Sequence, residues 1–381
     1  MLFRESQKIK MQIINKLSSR RFAGRIFSYF LVFSFLSLNV FSCSKEAVQK
    51  SMEADKIAFG KINRINVLCD QSVWDGPLGD SIRFYYSAAY PILPQPEPIF
   101  DLHHLTLEDM RKDPLRKELR TYIVVGDLSD QGSETAALIR RDVGTEKISS
   151  TTADSGYGNS VARNKWARGQ IIVYLYGNSE DKLIENITNS FSAVAKRLHQ
   201  ADEKIIDATA FFNGENVGLA SEISALMGVK MRIPEEFKPA MKEKEIVWLR
   251  RETSEASSNI IIQKIPYTDQ SQLSREGIKA IRNEMGKAYV SSTLPDTYMR
   301  INDVDLPLIV ETTRVNGDYA LEARGIWDIV NDFMGGAFIS YLIYDPSKQE
   351  LLFLDAFVHA PGKEKRDLMQ QLDYILNTAQ Y

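Results

Sequence analysis

The chain has only two cysteines, Cys43 and Cys69, and four histidines, His103, His104, His199 and His359. So small a supply excludes a disulfide-stapled scaffold, and no CxxC pair or HExxH stretch occurs to grip zinc. His103 and His104 are neighbours in a strand-like run, so they point to opposite faces and cannot chelate one ion together. GxSxG is absent too. DSGYGNS lacks the third glycine of a dinucleotide loop, and Asn302-Asp303-Val304-Asp305 lacks the glycine and distal glutamate of a calcium loop. These absences leave metal, triad and dinucleotide chemistry without a framework, so no catalytic residue, metal or cofactor is expected.

A membrane-spanning run is also missing. From Ile26 to Phe41 the chain runs 16 residues without a charge, short of the roughly 20 that a helix needs to cross a hydrocarbon core. Before it lie Lys8, Lys10, Lys16, Arg20, Arg21 and Arg25, which makes a cationic segment followed by an apolar one, the pattern of a secretory signal. Met11 is an alternative start. Val40-Phe41-Ser42 before Cys43 is a loose lipobox, so residues 1–42 are expected to be removed and Cys43 acylated, with 43–61 as a polar tether. Several acyl chains on one residue anchor stably where a single chain is marginal. The competing reading makes Cys43 a plain thiol at the end of a cleaved signal. The lipoprotein reading places the protein in the cell envelope, bound to the membrane, the outer membrane by preference, through acyl chains and facing the periplasm or the surface. Leaflet, oligomeric state and ligand are not readable.

Positive charge is scarce in what remains. Removing seven basic residues and one acidic residue leaves 40 against 49, a formal charge of −9, which argues against nucleic acid as a partner. Cys69 lies in the apolar run Ile65–Asp70 and reads as a buried small hydrophobe.

The remaining 339 residues suggest two domains. Residues 62–205 read as an α/β domain with strands at Ile65–Cys69, Ile99–Leu105, Tyr122–Val125 and Gln170–Tyr176. A Ser/Thr/Gly-rich stretch between Arg140 and Asn164 reads as a mobile loop. Ser179 to His199 is the clearest helix, with Ser179 as N-cap and Lys196 and Arg197 at the other end. Residues 206–228 read as a helical connector. Residues 229–381 read as an α+β domain, an antiparallel sheet covered by helices. Asn316-Gly317 is its strongest turn signal, because both residues of a tight hairpin turn take positive φ.

WLRRET (248–253), NDFMGGAFISY (331–341), LPQPEPIFDL (93–102) and LDAFVHAPGKEKRD (354–367) resemble a family of Bacteroidota lipoproteins, domain-of-unknown-function family 4837, and the likeness runs from about Ile65 to Ile375. The 142–163 stretch and Cys69 depart from it. The resemblance implies an envelope location and carries no catalytic residues. The element order of the second half is also similar to the PsbP/Mog1-like sandwich, a likeness of fold alone.

Two groups of side chains stand out as candidate sites. The Asn316-Gly317 register sets Glu311 opposite Glu322, and like charges so placed need a cation. Arg324 on the same face is the candidate, with Arg250 and Glu252 of WLRRET as further members. Trp74, Trp166 and Trp327 are candidate aromatic contacts for a glycan or peptide. A non-catalytic binding or assembly factor is therefore the first expectation, with an envelope protein or glycan as partner. An envelope hydrolase acting on glycan or peptide is the second.

Overall fold

Two styles of apolar patterning in the sequence produce two different sheets in the computed structural model, which describes residues 56–381. Cys43, the expected signal peptide and most of the tether lie outside the described residues. In the first part the elements are β1 (Arg64–Leu68), α1 (Gln71–Trp74), α2 (Pro77–Tyr86), β2 (Asp101–Leu105), α3 (Leu107–Lys112), β3 (Thr121–Asp127), α4 (Glu134–Val143), α5 (Thr145–Thr152), β4 (Tyr157–Arg163), β5 (Ile171–Gly177) and α6 (Glu180–Ala210). The strands lie in the order β2-β1-β3-β5-β4, with β4 alone antiparallel. A parallel sheet is covered on both faces, so its central strands β3 and β5 are buried along nearly their whole length. Ile123 and Val125 of β3 face α2 and α6, while Tyr122 and Val124 face α4.

The second part runs α7 (Val217–Met227), β6 (Lys238–Lys242), β7 (Ile246–Glu252), β8 (Ser257–Pro266), α8 (Arg275–Tyr289), β9 (Tyr298–Ile301), β10 (Ile309–Val315), β11 (Asp318–Val330), β12 (Gly335–Asp345), β13 (Glu350–His359) and α9 (Arg366–Leu376). Its strands pair antiparallel in the order β10-β11-β12-β13-β8-β7-β6, and β9 pairs with the far half of β11. One face packs on α7 and α9 through Leu219, Ile223, Leu372 and Ile375. The opposite face packs on α8 through Ile278, Ile281 and Met285. The architecture is thus α/β followed by α+β, as the element order implies. Asn316 at φ 49° and Gly317 at φ 98° form the tight turn, and Glu311 pairs with Glu322 in register.

Three local expectations fail. The stretch between Arg140 and Asn164 is ordered structure, not a loop: α5 buries Ile148 and Thr152, and β4 pairs along the whole of β5. Its polarity misleads because the hydroxyls of Thr151 and Thr152 donate back to helix carbonyls, and Gly144 and Gly156, both at positive φ, break the elements apart. Second, α6 continues to Ala210, past the boundary drawn at 205, because Leu198, Asp202, Ile206 and Ala210 extend its buried stripe at four-residue spacing. Third, the apolar pattern after the Asn316-Gly317 turn reads as a hairpin strand from Asp318 to Trp327, but β11 runs on to Val330, because β9 pairs with its end.

Ile57–Tyr381 forms one compact unit, and a polar seam ties its two sheets together. The buried Glu97 carboxylate accepts from the amides of Lys365 (2.6 Å) and Arg366 (2.8 Å), the residues that open α9. An acid suits that end of a helix dipole. Arg366 donates to Pro98 O (2.7 Å) and pairs with Asp101 (3.0 Å), and Asn63 bridges Asp202 to Gln370. The proline-rich segment of the first part is thereby held against the second part.

Candidate ligand-binding cleft

The end of β11 decides where the site forms. Trp327 lies across from Gly336 of β12. A Cβ on Gly336 would sit 1.8 Å from Val358 O and 3.1 Å from Trp327 Nε1, so only glycine lets the indole lie over the neighbouring strand. The hairpin tip is fixed by Asn331 at φ 63°, by Ile329 N donating to Met334 O (2.9 Å), and by Asn331 Nδ2 donating to Asp296 O (2.9 Å). Phe333 at that tip is completely exposed. A full aromatic face held in solvent by a pinned hairpin is unusual, since burying one stabilises a protein by about 1.5–3 kcal/mol.

Below Phe333 opens a cleft of about 490 Å³. Trp327 lies at its wall, His359 ends β13, Lys365 comes from the segment after it, Asn302 and Asp305 from the turn after β9, and Pro94 and Gln95 from the proline-rich segment. Three carboxylates within it are already held. Arg300 grips Asp328 (2.8 Å), Asn302 Nδ2 donates to Asp305 (2.7 Å), and the amide of Phe333 donates to Asp332 (2.7 Å). Burial lowers the pKa of Lys365, whose Nζ donates to Lys363 O (2.6 Å) and Gln95 Oε1 (3.4 Å). Fixed groups of this kind suit recognition, since little ordering remains to be done on binding.

A side chamber of about 80 Å³ shares Trp327, Met334 and His359 with the cleft. Val290, Ile329, Met334 and Phe357 make it apolar on one side. On the other, Trp248 Nε1 donates to Asn259 (3.0 Å), Asn259 Nδ2 to Ser257 Oγ (3.1 Å), and Ser257 Oγ to Glu252 (2.9 Å). Arg250 completes this chain by pairing with Glu252 and donating to Ser257 (3.3 Å).

Arg250 and Glu252 therefore do not join the Glu322 and Arg324 group. Arg250 lies in the strand row of Asn259 and Phe357, on the α8 face, whereas Arg324 lies in the row of Ile339 and Ala356, on the α9 face. Arg324 does pair with Glu322, but its second acid is Asp373 of α9 (2.7 Å), while Glu311 stays exposed. Tyr341 Oη donates to Asp373 (2.6 Å) and lies 3.3 Å from Glu322. Burial alone would lower the Arg324 pKa, but Asp373, Tyr90 and Glu322 outweigh it and hold the guanidinium protonated. Burial pushes the Tyr90 hydroxyl up to about 12.

The other two candidate tryptophans lie elsewhere. Trp74 stacks on His104 (4.8 Å, 2° between planes) and carries the Arg83 guanidinium at 4.7 Å. Trp166 meets Tyr122 edge-on at 5.4 Å. Burial pushes the Cys69 thiol up to about 12, which keeps it an inert core residue. Among the described residues no group of three or more His, Cys, Asp or Glu side chains is placed to hold a metal ion, and no helix is long and apolar enough to cross a membrane.

With the cleft described, the chain can be set beside known proteins. Residues 217–378 match the family described as domain of unknown function (DUF4837). The second part is similar to that family over those residues. Residues 58–210 match a different domain of unknown function (DUF8532), so the likeness to DUF4837 does not reach back to Ile65, and LPQPEPIFDL lies outside it. The cleft joins the part that matches DUF4837 to Pro94 and Gln95 of the part that matches DUF8532. No curated protein matches the chain. Among solved structures, the Saccharomyces cerevisiae Ran-binding protein Mog1p is similar over 40% of this chain and 89% of its own, at 9% identity and a TM-score of 0.26. The human StarD13 lipid transfer and protein localization domain is similar over 42% and 94%, at 8% identity and a TM-score of 0.20. Likenesses this distant carry nothing about ligand or activity.

Proposed function

We propose that the protein is an acyl-anchored lipoprotein of the cell envelope whose folded part is a non-catalytic binding protein, with the cleft beneath Phe333 as its ligand site. The observation that carries the binding role is convergence. WLRRET, NDFMGG, LPQPEP and HAPGKEK, far apart in the sequence, all contribute to the cleft or its side chamber. The exposed Phe333 and the immobilised carboxylates support recognition over acid–base work, because a general acid must be free to exchange its proton with substrate. The anchor reading rests on the sequence around Cys43.

Two experiments test these readings separately. Cys43→Ala is expected to abolish acylation and shift the protein from the detergent phase to the aqueous phase; a variant that still partitions with detergent rules out the anchor. For the cleft, the acylated protein is crosslinked in whole cells with and without Phe333→Ala. Loss of specific adducts in the variant supports the site, and an unchanged pattern removes it. Release of reducing ends or free amines from isolated cell wall by the purified protein would establish the hydrolase instead.

A further inference from the structure

The side chamber allows the ligand class to be narrowed, on the reading that the cleft is the binding site. Two ring nitrogens of residues shared by the chamber and the cleft, Trp327 Nε1 and His359 Nε2, have no hydrogen-bond partner among the described residues. The indole of Trp327 belongs to both cavities, and its Nε1 is buried with no acceptor, although the residue as a whole is only 3 % exposed. A buried donor left in this state costs about 1–3 kcal/mol. A Cβ at Gly336 would lie 3.1 Å from that nitrogen. The second group is His359, which also belongs to both cavities and whose ring centroid lies 6.2 Å from that of Trp327. Its Nδ1 is 3.1 Å from Gly335 O. A carbonyl can only accept, so Nδ1 carries the hydrogen, and in neutral imidazole Nε2 is left as a bare acceptor.

A donor and an acceptor on rings whose centroids lie 6.2 Å apart, beside a small chamber with one apolar wall, suit one substituent. An acetamido group has a carbonyl to accept from Trp327, an N–H to donate to His359 and a methyl for the wall of Val290, Ile329 and Phe357. A chamber of about 80 Å³ is several times the roughly 10–15 Å³ that a single water needs, enough for such a group. The ring then lies in the larger cleft, where Phe333 offers an apolar face and Asp305, Asp332, Asn302 and Gln95 offer hydroxyl partners. Three cleft carboxylates against Lys365 make the lining unsuited to an anionic ligand.

We propose that the cleft binds a glycan containing an N-acetylated amino sugar, with the acetamido group seated between Trp327 and His359 in the side chamber. An acetylated lysine side chain could present the same amide, but it has no ring face for Phe333 and no hydroxyls for the acids and amides around it.

The test is calorimetric titration of the folded, detergent-solubilised protein with three probes: the β-1,4 tetramer of N-acetylglucosamine, the β-1,4 tetramer of glucose, and an N-acetyl-lysine peptide. The acetylated tetramer should bind at least about tenfold more tightly than the glucose tetramer, the worth of one well-made hydrogen bond. Trp327→Phe, which keeps an aromatic ring and removes the N–H, should erase most of that preference. Phe333→Ala should weaken both sugars alike. Equal affinity for both tetramers would overturn the acetamido seat while leaving a glycan cleft in place. Binding of the peptide alone would overturn the glycan class. No binding by any probe would remove the inference, and the whole-cell crosslinking above would then decide separately whether the cleft binds anything.

Discussion

The two polar groups on opposite faces of the second sheet use similar residues to opposite ends. On the α9 face Arg324, Glu322, Asp373, Tyr341 and Tyr90 point at one another and close into a node. On the α8 face Trp327 and His359 end in a buried N–H and a ring nitrogen that nothing among the described residues engages. Charge and burial alone do not separate these cases. Counting partners does, because a buried polar group with none marks either a flaw or a place for something else. The same sheet thus carries a closed polar node that joins β11 to a helix and an open pair that faces a cavity.

The largest expected effect belongs to a third group, a fully buried ion pair, although its Arg282 Nη1 has no hydrogen-bond partner among the described residues. Arg282 of α8 and Asp355 of β13 are both fully buried, 2.8 Å apart, with Ser340 donating to the same carboxylate and the guanidinium 3.6 Å over Phe338. Asp355→Ala leaves a buried cation unpaired and should lower stability by about 3–5 kcal/mol in urea unfolding. A loss under 1 kcal/mol would show that partner counting does not identify scaffold groups here.

Arg324→Ala comes next, at about 1–3 kcal/mol, since Glu322 and Asp373 then face each other without a cation. Adding Glu322→Gln and Asp373→Asn should recover most of that loss, because the repulsion goes with the charges. Glu311→Gln should do nothing, as that side chain is exposed and outside the node. If Glu311→Gln rescues and Asp373→Asn does not, the node has been drawn with the wrong acid.

That misplaced acid shows what the sequence could and could not reveal. The Glu311–Glu322 register follows from a local turn and was readable, whereas Asp373 arrives on α9 through tertiary packing. The end of α6 was obscured for a related reason. Lys196, Arg197 and His199 imitate a helix C-terminus, and only the continued burial of Asp202, Ile206 and Ala210 against the rest of the fold shows otherwise. Strand β4 could not be read because its polar residues make a strand only alongside β5. Of the candidate site, Trp327, Arg250 and Glu252 were singled out from sequence. Their meeting with His359, Phe333 and Gln95 depends on strand pairing and on Glu97 capping α9, and no local pattern encodes either.

A smaller effect is expected at Asp202, in the seam between the sheets. Burial raises its pKa, against the pull of the Asn63 amide and Arg120. The fold therefore disfavours its ionised form relative to the unfolded chain, so its contribution to stability is present at acid pH and lost as pH rises through the folded value. Asp202→Asn, which keeps an oxygen for the Asn63 amide, should raise Tm at neutral pH and show no gain in acid. A variant less stable at neutral pH would mean that the Arg120 attraction outweighs desolvation.

The smallest effect on stability, and the one that most sharpens the comparison, belongs to Phe333. Its ring is wholly in solvent, and the turn that holds it is fixed by backbone bonds and by Asn331 and Asp332, none of which needs the ring. Phe333→Ala should therefore change stability by less than about 0.5 kcal/mol, the range of surface substitutions outside special features. If the residue served the fold, removing it would move Tm and leave ligand capture intact. If it serves the cleft, capture falls while the melting curve stays superimposable on that of the parent. Arg324→Ala is the control with the opposite signature, a lower Tm with undiminished capture by the fraction that remains folded. Both variants losing stability and capture together would dissolve the distinction between closed node and open pair.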